Sequence, residues 1–182
     1  MTALYPALLG AGFTTLPQPV QRFHSGSGPM VWQGRARVTR GRSLLARLAA
    51  TLLGFPPEAN SCPLRVEIRS HAQGETWVRH FGKTRLTSHQ ARQGARLTER
   101  FGPLTAAMRA LPGPDGLHLA PERLSFLGVP LPRALLDRSP SFERTEGDRF
   151  LFDVTVSSPV TGLIVAYEGW LEEMPGPATD MG

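Results

Sequence analysis

ETWVRHFGKTRLTSHQARQGARLTERFG, residues 75 to 102, is the stretch on which the fold turns. Its residues alternate as those of a strand do, because successive side chains on extended backbone point to opposite faces. Glu75, Trp77, Arg79 and Phe81 share one face; further along, Arg96, Thr98 and Arg100 share another. The alternation breaks at Gly82-Lys83 and again at Gln93-Gly94. A short pair containing glycine between two alternating runs marks a hairpin. Three consecutive antiparallel strands follow from this stretch alone. Each has one weakly apolar face and much polarity, with Arg85, Arg92, Arg96 and Arg100 in the run. Strands of this kind form a solvated outer face, a cavity wall or a partner surface.

The rhythm continues on both sides. Upstream, MVWQGRARVTRG (30–41) puts Trp32, Gly34, Ala36 and Val38 on one face, and Leu64, Val66 and Ile68 alternate before a turn at Gln73-Gly74. Downstream, Gly102-Pro103, PGPDG (112–116) and Gly147 separate further runs, and Phe150, Phe152, Val154 and Val156 share a face. LPRALLDR (131–138) interrupts with a helical turn. The final run, LIVAYEGWLEE, is apolar on both faces apart from Glu168, which predicts a mid-sheet strand covered on each side.

Residues 3 to 24 read as two helical pieces split at Pro17 and Pro19. A stronger helix follows the first strand: Ser43 is its N-cap, leucines and alanines fill 44–53, Gly54 is its C-cap and Pro56-Pro57 stop it. It is apolar around most of its circumference. That predicts a core helix packed into the sheet, with a lid over a pocket or a membrane-surface contact as alternatives. The expected fold is α+β: a long curved antiparallel sheet of roughly nine strands, half-barrel-like, with the N-terminal helices packed on it. One domain is expected over 1–173, with a disordered tail over 174–182.

Composition narrows the classes. With one cysteine, Cys62, the chain can form no internal disulfide and no multi-cysteine metal site, which fits a cytoplasmic protein. The N-terminal MTALYPALLGAGF lacks the basic residues of a signal peptide, and the longest apolar run, LLARLAATLLGF, is too short to span a bilayer. Charge is unevenly placed: residues 35–109 hold 14 Lys/Arg against 4 Asp/Glu, and residues 110–182 hold 5 against 11. Lys83 is the only lysine. The arginine preference reads as the base composition of a GC-rich genome or as an anion-binding surface.

GRARVTRG (34–41), the W-x-R-x-F-G of Trp77, Arg79, Phe81 and Gly82, ERFGP (99–103), LGVPLP (127–132) and Gly169-Trp170 occur in order along the chain. Together they resemble the bacterial domain of unknown function numbered forty-one sixty-six. The resemblance implies a domain that stands alone or follows an NAD(P)-binding domain of the saccharopine-dehydrogenase or epimerase type. It implies no catalytic residues. This chain shows no dinucleotide-binding domain, so it looks like the stand-alone version or an excised one.

Catalytic motifs are thin. There is no G-x-S-x-G, no H-E-x-x-H and no P-loop, and GAGFTT (10–15) lacks the third glycine of a dinucleotide fingerprint. His80 and His89 fall on adjacent predicted strands, but no third metal ligand accompanies them. Cys62 has no histidine partner in view. Glu99 and Glu168 are the two unusual acids; a buried one would need a sheet arginine as its partner. Trp77, Phe81 and Phe101 interleave with basic residues, but no nucleic-acid-binding signature accompanies them, so nucleic acid is not expected as a partner. The resulting expectation is a non-enzymatic domain binding a small apolar or lipid-like ligand. Arg35, Arg37, Arg79, Arg100 and Glu168 are its candidate anchors, and Trp77 and Trp170 its walls. No cofactor, metal or catalytic residue is assigned. The rival readings are an accessory domain serving an NAD(P)-dependent oxidoreductase, and an enzyme using an Arg/His/Glu surface.

Overall fold

A computed structural model of the chain describes residues 3–26, 28–137 and 140–174. The strands are β1 (Met30–Arg40), β2 (Ala59–His71), β3 (Gly74–Phe81), β4 (Thr84–Gln93), β5 (Arg96–Phe101), β6 (Leu104–Gly113), β7 (Gly116–Phe126), β8 (Val129–Pro130), β9 (Ser141–Glu146), β10 (Arg149–Ser158) and β11 (Gly162–Glu173). The helices are α1 (Leu4–Leu9), α2 (Gln18–His24) and α3 (Leu44–Leu52), with 3-10 turns at Gly10–Thr15 and Arg133–Leu135. The tail expected to be disordered lies, beyond Met174, outside the described residues.

The sheet is not a half barrel of roughly nine strands; it closes. Neighbours run β1 through β7 in order, then β9, β10, β11 and back to β1, all antiparallel. That makes ten strands in the ring, and the short β8 hangs on the outer end of β7. Closure rests on β7, which pairs with β6 from Leu104↔Phe126 to Gly113↔Gly116 and with β9 at Leu117↔Glu143. Alternation within a strand reports its two faces but not whether the last strand meets the first. Closure removes the unpaired edges that an open sheet of this length would expose.

Local sequence explains the hairpins. Phe81 pairs with Thr84 and Phe101 with Leu104, leaving the two-residue loops Gly82-Lys83 and Gly102-Pro103. Gly82 and Gly102 sit at φ 55 and φ 54, while Lys83 and Pro103 do not have positive φ. This is the type II′ pattern, whose twist matches that of the flanking strands and which requires glycine at the first loop position. The register slips between Ala36 and Val38, Ala107 and Met108, and Val156 and Ser157. Such bulges bend strands and help a sheet to close.

The faces read from the sequence hold. Trp32, Val38, Leu64, Val66, Ile68, Phe150 and Leu171 all point inward and are at most 3% exposed. The N-terminal helices do not lie on the outside of the sheet. They plug the mouth ringed by the β2–β3, β4–β5, β6–β7 and β9–β10 turns, with α1 against β4, the 3-10 turn against β6, and α2 against β9 and β10. Phe23 of α2 stacks on Phe150 with ring centroids 3.9 Å apart and meets Trp32 and Trp77 edge-on at 5.0 and 5.3 Å. Burying such a ring contributes roughly 2–3 kcal/mol, so the plug is part of the core.

The leucine-rich α3 also departs from expectation. Ser43 caps it, accepting from the Ala46 N–H, and its hydroxyl donates to the Thr161 carbonyl at the β10–β11 turn. Only Ala46 and Ala50 of the helix are buried; Leu44, Leu45, Leu48 and Leu52 face outward. Past the helix, Phe55 is buried 5.9 Å from the Phe101 ring of β5, on the opposite side of the barrel from β11. Arg40 donates to the Phe55 and Pro56 carbonyls. Residues 43–55 thus cross the second mouth, where small alanines allow close approach and the leucines remain outside.

Candidate functional site: the polar wall of the lumen

One side of the lumen is apolar and the other is not. β3, β4 and β5 turn Glu75, Arg79, Ser88, Gln90 and Glu99 inward, all at most 8% exposed. The register lines up Glu75, Gln90 and Glu99 as one row across the three strands. Arg79 reaches into that row. Its Nη2 donates to Glu99 Oε1 at 3.0 Å and its Nη1 to Ser88 Oγ at 2.7 Å, while Ser88 Oγ donates to the same Glu99 oxygen at 2.6 Å. The guanidinium also lies 4.7 Å from the centroid of the Trp77 ring, and Trp77 Nε1 donates to Glu75 Oε2. Cation–π contact and a carboxylate partner together compensate a charge taken out of water.

The plug completes the cluster. The Tyr5 hydroxyl donates to Gln90 Oε1 at 2.9 Å, tying α1 to the row. The His24 ring stacks on Tyr5 at 3.7 Å, and its Nε2 is 2.6 Å from Glu143 Oε2 of β9. His24 Nδ1 and Trp32 Nε1 are buried with no hydrogen-bond partner among the described residues. Among the described residues the lumen therefore holds three carboxyls, Glu75, Glu99 and Glu143, against one guanidinium and one imidazole.

Burial sets the electrostatics. Desolvation pushes the Tyr5 hydroxyl well above its ordinary pKa, and Glu143, Glu99 and Glu75 push it further. Desolvation likewise raises Tyr167 to about 12, opposed by Arg79 and assisted by Glu99 and Glu143. Desolvation, the largest influence, lowers Arg79; Glu99, through charge and hydrogen bond, together with Tyr167 and Tyr5 outweighs it, and the net shift is upward. Arg79 stays charged and both phenols stay neutral.

A cavity of about 50 Å³ remains beside this cluster. Phe23, Trp77, Phe81, Phe150, Phe152 and Tyr167 form much of its wall, and Arg79 and Glu143 are the charged lining residues among those described. Such a site can grip a polar group at one point of an otherwise apolar molecule. No serine or cysteine nucleophile is paired with a histidine here: Ser88 is bound to Arg79 and Glu99, and the half-buried Cys62 thiol faces the Ala36 carbonyl. Among the described residues no group of three metal-ligating side chains converges.

Of the seven candidates read from the sequence, Trp77 and Arg79 stand inside the barrel. The others stand on its outer wall. Arg35 is exposed and donates to Ser61, and Arg37 lies 3.9 Å from Glu168 with both side chains more than half exposed. Arg100 is exposed, and Trp170 is half-buried under the Arg149 guanidinium at 4.4 Å. Glu168 is not the buried acid; Glu99 is, and Arg79 is its partner. His80 and His89 do not meet, because His80 faces Arg85 across the β3–β4 ladder and His89 faces Thr76.

Sequence reasoning missed Tyr5, His24, Glu75, Ser88, Gln90 and Glu143. A signal existed: Ser88 and Gln90 follow Leu86 in inward register, and His24 follows Val20 and Phe23 on the apolar side of its helix. Outside the barrel, a groove of about 460 Å³ gathers Arg96, Arg109, Arg123 and Arg133 around Glu122. Hydrogen bonds from Arg96 and Arg109 hold the Glu122 carboxyl below its usual range, so much of that positive charge is already matched.

These features define a closed, plugged antiparallel barrel with a buried polar row on one wall. The family model that matches is described as Domain of unknown function (DUF4166); it covers residues 16–171, and the chain belongs to that family. No curated protein and no solved structure gives a significant match.

Proposed function

We propose that this domain binds a small, largely apolar molecule in its lumen and fixes one polar group of it at Arg79 and Glu143. The supporting observation is the cavity beside the buried Arg79 guanidinium and the buried Glu143 carboxyl, otherwise lined by apolar or aromatic side chains. At about 50 Å³ it exceeds the space one water needs, roughly 10–15 Å³. It falls short of the roughly 300–1,000 Å³ that drug-sized ligands occupy. A lipid-like ligand would therefore require Phe23 of α2 to withdraw, making the plug the movable part. Three carboxyls facing two basic groups favour a ligand that donates hydrogen bonds or carries positive charge, and Arg79 is already engaged by Glu99.

The test is native mass spectrometry of freshly purified protein, followed by organic extraction and identification of whatever is released. The expected result is a discrete adduct that is lost in Leu64→Trp, where a larger side chain fills the cavity. A mass equal to the bare chain, with no thermal stabilisation across a panel of small amphiphiles and amines, would sink the proposal.

A further inference from the structure

The mouth crossed by α3 has an unusual surface. Of the ten exposed large hydrophobic residues among the described residues, eight belong to this rim, and Leu111 and Met174 lie elsewhere. Four are the leucines of α3, from 55% to 81% exposed. Phe126, Leu127 and Val129 form the β7–β8 tip, and Val160 forms the β10–β11 tip. The antiparallel ring places both tips at the same end as α3, and the Ser43–Thr161 hydrogen bond ties the helix beside Val160. A helix apolar on both its inner and outer faces has one face left to cover.

Folding does not reward these choices. Leu127 is the one non-glycine among the described residues with positive φ, at 50°, and it is 74% exposed. Left-handed backbone is costly for a residue with a branched side chain, and turns of this kind favour asparagine or glycine. Leu127 thus carries both backbone strain and exposure at the extreme tip of a hairpin.

Charge selects the occupant. Arg42 and Arg47 flank the exposed leucines and Lys83 tips the neighbouring β3–β4 turn; all three are exposed and none makes an ion pair among the described residues. Of the described carboxylates at this rim, Glu58 is exposed and Asp137 is engaged by Ser157. The opposite rim carries Asp115, Glu146, Asp148, Glu172 and Glu173, of which Asp148 and Glu172 pair with Arg22 and Arg149. We infer that the α3 mouth is a docking surface for an anionic lipid bilayer, with the leucine stripe and the two hairpin tips entering the interface and Arg42, Arg47 and Lys83 meeting lipid phosphates. Separate apolar points ringed by unmatched positive charge suit a soft, negatively charged surface. A protein partner would favour a contiguous patch with a mixed polar rim. The barrel itself does not span: its outer wall carries Arg35, Arg37, Arg65, Arg69, His80, Arg85 and His89 where a membrane barrel carries an apolar band. No helix among the described residues is long and apolar enough to cross a membrane.

The test is co-sedimentation of the full chain with phosphatidylcholine vesicles, with and without about 30% phosphatidylglycerol, at low and high salt. Binding is expected only to the anionic vesicles, with weakening as salt rises. Leu48→Glu should reduce it by about tenfold or more, and Arg47→Glu with Lys83→Glu by about fivefold or more, with circular dichroism unchanged because all three side chains are exposed. Leu111→Ser, at the other mouth, should have no effect. Wild type that stays in the supernatant with both vesicle types would overturn the inference. So would equal binding by the leucine and charge variants, or self-association in solution that Leu48→Glu abolishes, which would assign the surface to a second copy of this chain.

Discussion

The two sides of the lumen are buried to the same degree but differ in chemistry: one is apolar, and the other interleaves charged and polar side chains with Trp77, Phe81, Leu86, Leu97 and Phe101. On β1, β2, β10 and β11 the inward residues are Trp32, Val38, Leu64, Val66, Phe150, Val165 and Leu171. On β3 to β5 they include Glu75, Arg79, Ser88, Gln90 and Glu99. The apolar side provides stability by leaving water. The polar side can at best offset the desolvation of its charges, because a buried ion pair is weak evidence for stability. A barrel that needed only to fold would gain by making both sides alike, so the polar side is where a purpose other than folding is to be sought.

That contrast can be broken on either side. The largest effect is expected from Glu99→Ala, which strands a buried guanidinium and removes the acceptor of Ser88; the loss should be roughly 3–5 kcal/mol in chemical denaturation. On the apolar side Leu171→Ala should cost roughly 2–5 kcal/mol through a cavity alone, with no change in the pH dependence of unfolding.

The chain has two tyrosines, Tyr5 and Tyr167, both in the lumen and both with raised pKa values. An unfolded tyrosine ionises near about 10. Because the folded values lie above this, the stability these groups contribute is intact below about pH 10 and is lost as pH rises towards about 12. Phenolate absorbance of the native protein should therefore stay flat through about pH 10–11 and rise only with unfolding. A smooth titration near pH 10 in folded protein would place a tyrosine in water. The smallest effect belongs to the outer wall: Arg37→Ala removes a 3.9 Å contact to Glu168 between exposed side chains and should change stability by less than about 0.5 kcal/mol.

The same contrast explains what the sequence made legible. Strand periodicity gave the faces: Trp32 with Ala36 and Val38, Phe150 with Phe152, and Trp77 with Arg79 all fall together as read. The glycine pairs gave the hairpins. Closure was not legible, because it depends on β7 meeting both β6 and β9, and no local pattern encodes that meeting. Without closure, polar strands read as a solvated face, and Arg35, Arg37 and Arg100 could not be separated from Arg79. Parity separates them: Arg79 shares its face with Trp77 and Phe81, whereas Arg100 shares its face with Arg96 and Thr98. For α3 the error ran the other way. Leucines were expected inside, but close approach to the rim selected alanines there and left the leucines outside.

If the polar wall serves a bound molecule and not the fold, its ion pair can be exchanged for apolar residues without loss of stability but not without loss of the ligand. The most direct test is the triple variant Arg79→Met, Glu99→Leu and Ser88→Ala, which leaves no buried hydroxyl without its partners, compared with wild type in stability and in the adduct seen by native mass spectrometry. Replacing a buried ion pair with apolar residues of similar volume is often neutral or stabilising. The expected result is a barrel at least as stable as wild type that has lost its ligand. A triple variant that keeps the same adduct at the same occupancy would reduce the polar wall to a structural feature.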